Sequence, residues 1–112
     1  MGLPGREFRR ILEGGRRKRL GHLEVHWLDN STGHPRLGLM VPRFQSTAVA
    51  RNRLRRRLKE IWRREIRPEA GSFDLVIRTR KSAYGAGFSE LRQELQSWWV
   101  SARAGLTGRE AV

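Results

Sequence analysis

The 112-residue chain carries 24 Lys+Arg against 11 Asp+Glu, a formal net charge of +13. Its length fits one compact domain with a single modest core, and so basic a balance points to a polyanionic partner, nucleic acid first. Cysteine is absent, which excludes disulfides, thiolate metal sites and thiol catalysis; no stretch approaches the roughly 18 apolar residues of a membrane span, and residues 1–6 lack a signal peptide's apolar core, so a soluble cytoplasmic protein with no membrane partner is expected.

Taken in chain order, Glu7 to Leu12 places Phe8, Ile11 and Leu12 at helical spacing, and Gly14-Gly15 stops that short helix. The cations Arg16, Arg17, Lys18 and Arg19 follow as loop or strand lead-in. From His22 to Leu28 apolar and polar residues alternate, so Leu23, Val25 and Trp27 face a core while His22, Glu24 and His26 share the other face. Asp29 to Gly33 is turn chemistry. Leu37, Leu39 and Val41 then repeat the alternation, and the two strands read as an antiparallel hairpin.

A second helix is predicted to start at Ser46 or Thr47, either able to cap its first amides, and to end by Pro68 and Gly71. At 100° per residue Leu54, Leu58 and Ile61 fall in one arc flanked by Ala50 and Trp62. Asn52, Arg56, Lys59 and Arg63 gather opposite, with Arg53, Arg57 and Arg64 as a second basic stripe. Phe73 to Arg78 is a more continuously apolar strand, expected at the centre of a sheet covered on both faces. Phe88, Leu91, Leu95, Trp98 and Ala102 define a last helix, before a polar tail at 105–112. The order is helix, strand, strand, helix, strand, helix in one domain, with its core at about residues 6–103.

No self-contained catalytic site emerges. His22 and His26 lie roughly 13 Å apart along a strand, too far to chelate one ion, and read as surface strand residues. His34 has no evident partner, and Gly85-Ala86-Gly87 is too short for a phosphate-binding fingerprint. Glu60 and Glu65 read as helix partners for Arg56, Lys59 and Arg64. The basic helix carries the functional signal. A charge run is usually just a solvated face, but residues 51–67 hold nine cations against two acids, and like charges one turn apart repel unless phosphate neutralises them.

Residues 48–60, Ala-Val-Ala-Arg-Asn-Arg-Leu-Arg-Arg-Arg-Leu-Lys-Glu, closely resemble the arginine-asparagine-arginine signature of the bacterial ribonuclease P protein subunit. The flanking Glu7-Phe8-Arg9-Arg10, Arg36-Leu37-Gly38-Leu39, Phe73-Asp74-Leu75-Val76 and Phe88-Ser89-Glu90-Leu91 follow in the family's order, over about residues 6–100. The resemblance implies an α+β fold, a small two-layer α/β sandwich of ribosomal-protein type with a left-handed crossover through the basic helix, where handedness rules alone favour the right-handed form. It implies an RNA-binding subunit of an endoribonuclease, one protein with one ribonuclease P RNA. That RNA, with bound Mg²⁺, cuts the 5′ leader from precursor tRNA. On the same resemblance Arg51, Asn52, Arg53, Arg55, Arg56, Arg57, Lys59 and Arg63 meet the RNA subunit, and Phe8, Leu12 and His26 line the leader cleft.

The chain departs from the family's pattern in that cleft. Aromatic residues are frequent at the places of Leu12 and His26, and stacking on an aromatic face is worth about 1 to 3 kcal/mol per base. Where the family has a serine followed by basic residues, this chain reads Val41-Pro42-Arg43-Phe44-Gln45, so that Arg43 and Phe44 join the cleft, Phe44 as a replacement stacking surface. The alternative reading is a structural RNA-binding protein of ribosomal type without a processing role; composition and fold do not separate the two. A basic helix lying on a membrane is disfavoured because its apolar face is needed to cover the sheet.

Overall fold

The computed structural model describes the backbone of residues 2–111 and the side chains of residues 2–104. The elements are α1 (Phe8–Gly14), β1 (Arg16–Arg19), β2 (Leu23–Asp29), β3 (Arg36–Met40), α2 (Ala48–Ile61), β4 (Phe73–Thr79) and α3 (Phe88–Ala111). The strands form one sheet in the order β1-β2-β4-β3. The polar tail expected from residue 105 lies outside the described side chains.

The expected hairpin between β2 and β3 does not form. β4 lies between them, antiparallel to β2 and parallel to β3, with Leu37 opposite Leu75 and Leu39 opposite Ile77. The reason is burial: β4 is buried at every position except Arg78, and only a strand inside the sheet has both faces covered. A parallel neighbour cannot be reached by a tight turn, so the chain crosses from β3 to β4 through α2. The hairpin that does form is β1 with β2, pairing Arg16 with Trp27 and Lys18 with Val25. All four residues of β1 are exposed, as suits an edge strand whose charges discourage pairing with another chain.

α2 follows from local chemistry. The Thr47 hydroxyl accepts from the Ala50 amide at 3.1 Å, and Leu54, Leu58 and Ile61 are buried against the sheet; each such side chain contributes about 1.5–3 kcal/mol. A π-helical turn, Trp62–Ile66, continues it and buries both Trp62 and Ile66. Pro68 then sits in a short 3₁₀ turn that ends the run. α3 covers the same sheet face through Leu91, Leu95, Trp98 and also Trp99. Trp98 meets Trp27 edge-on at 5.2 Å, and Trp99 stacks on Phe73 at 5.5 Å. On the other sheet face, Ile11 of α1 packs with Leu3 and Val76, and with Phe8 and Leu12 at the margin.

Candidate nucleic-acid interface

Burying Leu54, Leu58 and Ile61 fixes which way the rest of α2 points. Asn52, Arg53, Arg56 and Lys59 of α2, and Arg63 and Arg64 beyond it, are exposed; Arg51, Arg55 and Arg57 are half-buried. Acids compensate this face only at its far end. Glu60 accepts from Arg63 at 2.7 Å and pairs with Arg64 at 2.5 Å, and the Arg63 hydrogen bond chiefly holds its carboxyl below the usual range. Glu65 turns away instead: it accepts from Arg92 at 2.7 Å and Gln96 at 2.9 Å, both on α3. The π-helical turn re-aims it, so it is a strut between helices rather than the helix-face partner its sequence position suggests. Arg51, Arg53, Arg55, Arg56 and Lys59 thus have no carboxylate partner among the described residues, and Arg57 donates to the Ala86 carbonyl at 3.3 Å.

The face of the sheet away from α2 carries Phe8, Leu12 and His26 together. Phe8 closes over Gly38, where an added Cβ would lie 2.6 Å from its Cζ, so the glycine makes the seat for the ring. Leu12 is half-buried beside it. His26 is not the surface residue expected: it is 5 % exposed, packed beneath the α1 side of the sheet, and its Nε2 lies 2.8 Å from Glu24 Oε1. That hydrogen bond is the main cause of a lowered Glu24 pKa. His22 lies outside β2, and its ring contacts Ser82 and Glu90 on the way into α3.

Arg43 and Phe44 stand apart from this trio, in the turn after β3. Phe44 and Gln45 both take left-handed backbone conformations, φ 46° and 65°, a strain of order 1–3 kcal/mol per residue that surrounding contacts must hold. Tyr84 donates to the Pro42 carbonyl at 2.6 Å and meets the Phe44 ring edge-on at 6.5 Å. Phe44 is left 40 % exposed. It borders a depression of about 360 Å³ shared with the cations Arg19, Arg78, Arg80 and Lys81 and with Glu24. These four cations carry no motif in the sequence; their scatter around β1 and the end of β4 is the signal, and the pairing of β1 and β4 with β2, together with the turn after β4, gathers them.

α1 is fastened to the sheet by charge. Asp74, fully buried, accepts from Arg36, Asn30 and Arg10, while Arg36 also reaches Glu7 at 2.9 and 3.0 Å. Burial pushes the Asp74 carboxyl up, but hydrogen bonds from Arg36, Asn30 and Arg10 outweigh it and leave the pKa lowered. Glu7 is likewise lowered, first by its hydrogen bond with Arg36. With acids so engaged, no group of three or more His, Asp or Glu among the described residues could hold a metal ion.

Comparison with known proteins decides what this arrangement belongs to. The family model described as Ribonuclease P matches residues 4–103. The chain belongs to the ribonuclease P protein family. The ribonuclease P protein component of Nocardioides sp. is 34% identical over 110 residues, spanning 93% of this chain and 92% of the relative. That of Syntrophobacter fumaroxidans is also 34% identical, over 90 residues, 80% of this chain and 76% of the relative. The solved ribonuclease P protein from Thermotoga maritima superposes with a TM-score of 0.78 at 28% identity, covering 88% of this chain and 94% of that one. Membership of the ribonuclease P protein family implies a role in 5′ processing of tRNA within a holoenzyme; Arg51, Asn52 and Arg53 stand in the first turns of α2.

Proposed function

We propose that this chain is the RNA-binding subunit of a ribonuclease P holoenzyme and assists its RNA in removing the 5′ leader of precursor tRNA. The observation that carries this reading is the row Arg51, Arg53, Arg55, Arg56 and Lys59, without carboxylate partners among the described residues, on a helix whose other side is locked into the core. Such a row lowers its own repulsion when phosphates neutralise it. Asn52, Arg57 and Arg63 border the row and complete the surface offered to ribonuclease P RNA.

The single-stranded leader lies across the α1 face of the sheet, against Phe8 and Leu12, and continues towards Arg43 and Phe44. Phe44 is the more open stacking surface, whereas His26 supports the floor from below and offers little ring area. Mg²⁺ and the bond-breaking chemistry belong to the RNA subunit; the chain supplies positioning and charge compensation, as one protein with one RNA in the cytoplasm.

The test is reconstitution with bacterial ribonuclease P RNA and measurement of 5′ cleavage of precursor tRNA at low Mg²⁺. Addition of the protein is expected to raise the cleavage rate. No stimulation with several such RNAs would sink the proposal.

A further inference from the structure

A trough of about 750 Å³ runs between the edge strand β1 and α3, on the sheet face opposite α1. Its floor is apolar and aromatic, from Trp27 and Trp98, which are 9 % and 5 % exposed. One wall is cationic. Arg16 and Lys18 pair across the ladder with Trp27 and Val25, so they stand on the trough side of β1, while Arg17 and Arg19 pair with His26 and Glu24 on the α1 side. Neither Arg16 nor Lys18 has a carboxylate partner among the described residues. The opposite wall carries two carboxylates, Glu94, which accepts from the His22 amide at 2.8 and 3.0 Å, and Glu90, which accepts from the Gly87 amide at 3.2 Å, so a phosphate is placed on the β1 side of the trough.

We propose that this trough is a second RNA-binding site, seating one unpaired nucleotide with its base on the apolar floor that Trp27 and Trp98 share with Leu20 and Ala102 and its phosphate on Arg16 and Lys18. The volume lies in the range of small-ligand pockets. An apolar floor beside cations without carboxylate partners among the described residues suits single-stranded nucleic acid, since every base has an apolar face to cover and every link a charge to neutralise. β1 makes the trough continuous with the α1 face: its side chains alternate, so a strand of RNA leaving Arg17 and Arg19 meets Arg16 and Lys18 on turning over the sheet edge. The inference goes beyond the leader and α2 surfaces, and rests on that reading only in taking the polyanion to be RNA.

The experiment follows the indole N–H resonances of the full chain during titration with AMP and with pentaadenylate. Resonances of Trp27 and Trp98 are expected to move, and that of Trp62, which packs on Phe73 away from the trough, to stay. The exposed double substitution Arg16→Ala/Lys18→Ala is expected to weaken pentaadenylate about tenfold, and Ser97→Trp, which fills the trough, to abolish the shifts. Arg56→Gln/Lys59→Gln on α2 is expected to retain them. Movement with both probes assigns a site open to free nucleotides, and movement with pentaadenylate alone a site for the RNA chain; either supports the proposal. Stationary Trp27 and Trp98 resonances with both probes, or unchanged affinity in Arg16→Ala/Lys18→Ala, would overturn it. If the resonances move but cleavage is not stimulated, the processing role fails and the trough stands; stimulation with silent resonances removes the trough alone.

Discussion

Arg36 and Asp74 face each other across the parallel β3–β4 ladder and close a two-pronged ion pair, Nε to Oδ1 at 2.8 Å and Nη2 to Oδ2 at 2.9 Å. Because Arg36 also grips Glu7, just before α1, the buried carboxylate ties two strands and the first helix into one unit. Removing one member of a buried pair leaves the other charge uncompensated, at a cost of about 3–5 kcal/mol. Asp74→Ala is therefore expected to lower the unfolding free energy in urea by that much, whereas replacing Arg36 and Asp74 together by Met and Leu is expected to cost clearly less. Equal losses for the single and double variants would contradict the pair's role.

The same pair sets an acid limit. Asp74 and Glu7 both have folded pKa values below their ordinary ones, so the folded state binds fewer protons than the unfolded chain. Their contribution is complete above the unfolded carboxyl values, about pH 4 to 4.5, and is lost as pH falls below them towards the depressed folded values. Urea midpoints are expected to be flat from about pH 7 to 5 and to drop below about pH 4, and Asp74→Asn is expected to flatten that drop. A variant as acid-sensitive as the parent would assign the loss to other carboxylates.

Gly38 and Phe8 form a lock between β3 and α1. A Cβ at residue 38 would sit 2.6 Å from Phe8 Cζ and 3.1 Å from Leu3 Cδ2. Gly38→Ala is expected to cost about 1–3 kcal/mol by overpacking, and to cost much less when Phe8 is already Ala. That non-additivity is what a double-mutant cycle by denaturant unfolding would read. Additive losses would mean that the ring is not what the methyl meets.

These interactions also mark how far the sequence could be read. α2 was legible because Thr47, the Leu54-Leu58-Ile61 arc and Pro68 all act within a few residues of one another, and β4 because its apolar run has no polar face to spare. The pairing of β3 with β4 was not legible from local pattern, since the turn residues Asp29 to Gly33 favour a hairpin and the competing partner lies beyond a whole helix. β1 shows no alternation because both of its faces are wet. Alternation put His26 on the correct sheet face, yet its burial depends on α1, whose contribution a strand pattern does not contain. The burial of Trp99 beside Trp98 likewise needs two walls, the sheet at Trp27 and Phe73, that no single helical stripe reveals.

Phe8→Ala is expected to weaken binding of precursor tRNA by the reconstituted holoenzyme more than binding of mature tRNA, because only the precursor carries a leader to lie across the α1 face. Loss of one stacking surface corresponds to about 1–3 kcal/mol, or roughly five- to 150-fold. Since Phe8 also packs on Gly38, a folding control by denaturant unfolding accompanies the comparison. Phe44→Ala, at an exposed turn, is expected to give the same selectivity with little change in the urea midpoint. Equal weakening of both tRNAs by both variants would remove the leader from this face.

The last expectation separates cations that the structure has already compensated from those it has not. Arg63 and Arg64 share Glu60, whereas Arg56 and Lys59 have no carboxylate partner among the described residues, so the second pair has more to gain from phosphate. Every phosphate that the protein no longer neutralises is expected to lower the slope of log affinity against log salt by about 0.7–0.9. Arg56→Gln/Lys59→Gln is therefore expected to flatten the salt dependence of ribonuclease P RNA binding by more than one such step, and Arg63→Gln/Arg64→Gln by less. Neither change should unfold the protein: relief of like-charge repulsion on α2 is worth about 0.2–0.5 kcal/mol per pair in favour of the Arg56→Gln/Lys59→Gln variant. If both double variants flatten the slope equally, the pairing with Glu60 does not govern which cations meet RNA, and the compensated end of the helix must be counted as part of the interface.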